Sequence, residues 1–147
     1  MTAVDLTDED LVEGFERATL AAGQFGHAEH VRAAWLFVRR YGLPEALAAF
    51  PAALRRFALA KGAPHLYHVT ITWAYLLLIH ARQQTCQADV WQDFASANTD
   101  LLTWKPSILD HYYSPETLWS DFARHTFVMP DRGMLERSNH VVAAPRS

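Results

Sequence analysis

Between Val69 and Ile79 the chain is apolar on almost every side of a helix. Ile71, Trp73, Ala74, Tyr75 and Leu76–Leu78 are interrupted only by Thr70 and Thr72. As a helix this run spans roughly 16 Å, too short for a bilayer. A helix that is apolar all round has to be wrapped by others, so this segment predicts a helical bundle with a central member.

The wrapping is written on either side of it. Thr7 and Asp10 have the form of a capping box. Leu11, Phe15, Ala18 and Ala22 then recur at helical spacing as far as Gly23, which predicts a first helix over about 8–22. After Gln24-Phe25-Gly26 a second helix runs from His27 to Tyr41 and stops at Gly42. Pro44 opens a third, ending at Lys61-Gly62, with a kink or break expected at Pro51. Pro64 opens the apolar fourth helix, over 64–82, and a fifth is expected near 87–103. Ser114-Pro115-Glu116 starts a short one reaching about Arg124. No strand alternation and no internal repeat occurs. The fold class is all-α: a single-domain up-down bundle of four main helices plus a C-terminal helical segment, over residues 1–131. Residues 132–147, polar and aperiodic, are expected to form a mobile tail.

A chain of 147 residues suits one domain with its own core. Its 13 Lys+Arg against 16 Asp+Glu, a net charge of −3, argue against a nucleic-acid binder, which needs a basic face. Cys86 is the single cysteine, so neither an internal disulfide nor a cysteine-based zinc motif can form. The acidic start, Met1–Asp10, lacks the basic and apolar regions of a signal peptide, which predicts a cytoplasmic protein. Neither a Gly-rich phosphate loop nor a Gly-x-Ser-x-Gly elbow is present.

Histidine carries the chemistry that is left. Of eight histidines, His27-x-x-His30 and His65-x-x-His68 sit at the starts of the second and fourth helices, on their apolar stripes. Residues three apart on a helix are surface neighbours. In an up-down bundle these two starts lie at the same end, so the four rings can converge. A helix N-terminus also favours neutral imidazole, the form that binds a transition metal. Glu16 and Glu29 fall off the stripes, which leaves an imidazole-only set suited to Zn, Cu or Fe rather than Mg or Ca. The candidate ligands are His27, His30 and His68, with His65 as an optional fourth; His65 follows Pro64 in a first turn that is the most exposed of the set. Thr72 is a candidate to orient a ligand histidine, although hydroxyls on such helices often bond back to the i−4 carbonyl. Tyr67, Tyr112 and Tyr113 are candidate catalytic groups, and His111 could join from the C-terminal half. Trp35, Trp73, Trp104 and Trp119 read as core.

Phe25-x-His27-x-x-His30-Val31, Tyr67-His68-x-Thr70-x-Thr72, Tyr112-Tyr113-Ser114 and Pro130-Asp131 together resemble a recurring group of small bacterial all-helical proteins. The likeness spans residues 25–131. It implies a three-histidine site of His27, His30 and His68, without His65, and brings no activity with it.

Two functions fit this sequence. In one, a single transition-metal ion on the histidines acts on a small molecule, by oxidative chemistry with Cu or Fe and by hydrolytic or lyase chemistry with Zn. The protein would then be a metal-dependent oxidoreductase or hydrolase. In the other, a metal-free helical module binds an apolar ligand or a protein partner, and the histidines form a buried hydrogen-bond network. Both exclude nucleic acid and membrane, and the aromatic content leaves room for a homodimer face.

Overall fold

The computed structural model describes residues 6–132, and every regular element among them is helical. Four longer helices come first: α1 (Asp8–Glu16), α2 (His27–Tyr41), α3 (Leu43–Ala60) and α4 (Val69–Cys86). Three shorter ones follow, α5 (Trp91–Ala97), α6 (Pro115–Leu118) and α7 (Asp121–His125). The tail expected from residue 132 onward lies, beyond Arg132, outside the described residues.

Local chemistry sets the element ends. Thr7 Oγ1 accepts the Asp10 N–H at 3.0 Å and caps α1. The Gly26 N–H donates to Glu29 Oε1 at 3.0 Å and closes the first turn of α2. Gly42 joins α2 to α3 with φ at 82°, a conformation that glycine adopts without steric cost.

Five expectations need correction. The first helix ends at Glu16 rather than near residue 22, because Ala18 takes a left-handed φ of 58°. The Thr19 N–H then turns back to the Gly14 carbonyl at 2.8 Å. Gly14 makes this return possible, since a Cβ there would lie 2.6 Å from Leu20 Cγ.

The fourth helix starts at Val69, not Pro64. Residues 64–66 form a single tight turn, Tyr67 and His68 are extended, and His68 caps α4. The fifth helix stops at Ala97 and continues as a 3₁₀ turn over Thr99–Leu102. The short C-terminal helix is divided in two, because Ser120 accepts the Ala123 N–H at 3.0 Å and begins α7 afresh. Pro51, by contrast, does not interrupt α3: it is buried in the core, and its packing offsets the lost helical hydrogen bond.

The core is one continuous cluster. Phe15, Phe25, Phe37, Phe50 and Phe57 gather between α1, α2 and α3, with neighbouring ring centroids 4.7 to 5.9 Å apart. Trp35, Leu76, Ile79 and Phe94, each nearly or fully inaccessible, join α2 to α4 and α5. The central role read from its composition falls to α4, which packs against α2, α3, α5 and α7. Among the described residues no helix is long and apolar enough to cross a membrane.

Two polar ties seat the C-terminal segment on this scaffold. Buried Thr70 donates its hydroxyl to the Thr126 carbonyl at 2.8 Å and accepts the Val128 N–H at 3.1 Å. Asp131 accepts from the Ser114 N–H and hydroxyl, both at 2.8 Å, and from the Thr117 hydroxyl at 2.7 Å. These three bonds hold its carboxyl down at about 2. The ties bring α6 and α7 beside the start of α4.

Candidate functional site

The starts of α2 and α4 open onto one cavity of about 640 Å³. Its wall is apolar: Phe25, Val31, Ala34, Phe50, Leu54 and Phe57 from the α2–α3 side face Ile71 and Tyr75 of α4. Exposed Lys61, His65, Leu66, Trp104 and Trp119 mark its mouth, with Arg124 beside them. His27, His30, His65 and His68 all line it, so the fold brings the two histidine pairs to a common space.

Each ring is held differently. His68 is buried at the N-cap of α4, where its Nδ1 accepts the Ile71 N–H at 3.1 Å. A backbone N–H only donates, so the ring proton sits on Nε2, which donates to the Leu118 carbonyl at 2.8 Å. Both nitrogens are committed. Burial lowers the pKa of His68 and outweighs the Leu118 carbonyl, which raises it. His27 likewise uses its Nε2–H on the Leu101 carbonyl, at 2.9 Å, with its ring centroid 5.0 Å from that of Trp104. Burial lowers its pKa as well.

His30 is the exception. Its ring lies against Phe25, centroids 4.2 Å apart, and has no hydrogen-bond partner among the described residues. The surface it keeps open faces the cavity. Burial, and secondarily the neighbouring His27, pushes its pKa down to about 4, so the imidazole is neutral at ordinary pH.

The remaining candidates are placed as follows. His65 is exposed at the mouth, and its carbonyl accepts a hydrogen bond from Arg124 Nη1 at 3.0 Å. Tyr67 lines the cavity, with the Arg55 guanidinium 5.8 Å from its ring centre. Thr72 donates its hydroxyl to the His68 backbone carbonyl at 2.7 Å, rather than to the ring. Tyr112 and Tyr113 are buried away from the cavity lining, Tyr113 donating to the Val128 carbonyl at 2.6 Å. His111 is exposed and also outside the lining.

A metal ion needs a free lone pair from each histidine, and the ring of His68 offers none in this arrangement. Among the described residues no group of three or more His, Cys, Asp or Glu is placed to hold a metal ion. The chemistry among the described residues is that of a pocket: an apolar wall, the unpartnered His30 imidazole within it, and a mouth that carries Lys61, Arg124 and the exposed His65 ring.

Comparison with family models, curated proteins and solved structures finds no match. The likeness to small bacterial helical proteins thus rests on the motifs alone, and the functional argument rests on the cavity. Sequence reasoning missed Lys61, Trp104, Trp119 and Arg124 as lining residues. Trp104 and Trp119, read as core, are 37% and 53% exposed. Neither lies on a periodic stripe, so no sequence signal marked them.

Proposed function

We propose that the protein binds one small, predominantly apolar molecule in the cavity between α2, α3 and α4, with His30 as its polar contact. The observation that carries this reading is the neutral His30 imidazole, unpartnered in an apolar wall. The ring keeps its nitrogens accessible from the cavity, so a ligand donor or acceptor can reach them without breaking a bond within the fold. The volume lies within the range of small-molecule sites, and a largely apolar pocket with a few placed polar groups is their usual form. In this reading α1–α4 run up-down-up-down and act as rigid walls, in a cytoplasmic protein, monomer or homodimer, that contacts neither nucleic acid nor membrane.

Titration with octanol, a neutral apolar probe, tests it. Trp104 and Trp119 line the cavity, so binding is expected to shift tryptophan emission and saturate at one equivalent. Ala34→Phe, which puts a ring into the space, is expected to abolish the response while far-UV circular dichroism stays unchanged. No saturable response in the parent protein, or an unaltered one in the variant, overturns the reading.

A second reading is favoured by one fact: His27, His30 and His68 line the same cavity. In it they bind one transition-metal ion, Cu, Fe or Zn, and the protein is a metal-dependent oxidoreductase or hydrolase. It requires the His68 ring to release Ile71 or Leu118. Elemental analysis of protein purified without an affinity tag decides. One equivalent of metal, lost in His27→Ala and in His68→Ala, supports this reading. No metal, with none retained after challenge with Zn, Cu or Fe, removes it.

A further inference from the structure

The charges around the cavity have one sign. Lys61 and Arg124 are its cationic lining residues, with His65 at the same mouth, and no Asp or Glu lines it among the described residues. This contrasts with the chain as a whole, whose net charge is −3. Neither cation is neutralised within the fold. Arg124 spends one N–H on the His65 carbonyl, at 3.0 Å, and Lys61 lies 5.4 Å from the Phe57 ring centre; neither has a carboxylate partner among the described residues. The Arg124 guanidinium therefore keeps donors free at the rim, in the planar arrangement suited to a carboxylate. Besides this rim the lining includes the apolar side chains of Leu54, Phe57 and Ile71 and, among its polar groups, the unpartnered His30 ring.

We infer that the cavity selects an amphipathic anion: an organic acid whose carboxylate rests against Lys61 and Arg124 and whose apolar body fills the space toward Phe25 and His30. The inference rests on the cavity being a ligand site, and it adds the head group. An apolar interior alone would take alcohols and amines of the same length equally well. The rim distinguishes them, since an ammonium head meets like charge there and a hydroxyl makes only a neutral hydrogen bond.

Octanoate, octanol and octylammonium share one apolar body and differ in the head, so their affinities, measured by calorimetry at one ionic strength, separate the two claims. Octanoate is expected to bind roughly tenfold or more tightly than octanol, the scale of one charge-assisted hydrogen bond, with octylammonium weakest. In Lys61→Gln/Arg124→Gln the affinity for octanoate should fall to that for octanol, which itself stays near its parent value. The parent series carries the test even if the double variant proves less stable. Equal affinities for octanoate and octanol would overturn the anion preference and leave the cavity reading intact. Binding of none of the three would overturn the cavity reading itself. A preference that survives the double substitution would overturn its assignment to these two side chains.

Discussion

The imidazole of His68 joins two distant parts of the fold: its Nε2–H donates to the Leu118 carbonyl at 2.8 Å while its Nδ1 accepts the Ile71 N–H at 3.1 Å. One ring therefore caps α4 and anchors the end of α6, taking the place that Ser, Thr, Asn or Asp fills at most helix starts. His68→Ala should lower stability by about 2–4 kcal/mol, since a cap is lost and a carbonyl at a buried position is left unpaired. His68→Asn should recover the cap but not the tie to Leu118, and so fall between the two. Urea unfolding of the three proteins reads the order. An Asn variant no better than Ala would contradict the capping role.

Acid should destabilise the protein through His30. Its pKa is 6.5 when unfolded and about 4 when folded, because burial, then His27, disfavours the cation. The unfolded chain thus binds more protons between these values. Stability contributed by this group is complete above pH 6.5, declines as the pH falls, and is gone below about pH 4; the loss amounts to at most about 3 kcal/mol. His27 and His68, whose pKa values are also lowered, act in the same direction. His30→Leu should remove most of the slope in this window and leave a residue due to the other two. Unfolding free energies measured across the window check this, and an unchanged slope in His30→Leu would contradict it.

Ala18 sits in the left-handed region at φ 58°, which costs a side chain with a Cβ about 1–2 kcal/mol. Ala18→Gly should therefore stabilise the protein, by about 1 kcal/mol after allowance for the greater freedom of glycine in the unfolded chain. Thermal unfolding midpoints test the sign. A lower midpoint would mean that packing of the Ala18 methyl against the core outweighs backbone relief.

These residues also mark what sequence reasoning can reach. The helical class and the bounds of α2 were legible because Gly26 and Gly42 enclose an uninterrupted stripe. The shared cavity of the two histidine pairs was legible because both pairs begin their segments. Periodicity says nothing about backbone sign, so the reversal at Ala18 was not foreseen. It also carries no information on whether a proline ring is buried, and α3 runs through Pro51 for that reason. The role of His68 was hidden more deeply. An imidazole three residues after another suggests convergence on a ligand, whereas the extended backbone at Tyr67 and His68 turns this ring onto its own helix start. Trp104, Trp119 and Arg124 reach the cavity from segments without periodic pattern.

The central claim is that His30 is the polar contact of a ligand cavity while His68 belongs to the scaffold. Following the imidazole nitrogen resonances by NMR during titration with octanol tests it most directly. The account predicts that the His30 nitrogens move and saturate with one equivalent of probe, while those of His68 keep the pattern of a proton fixed on Nε2. His30 resonances that stay still through a saturating titration, or His68 resonances that move in their place, would contradict it.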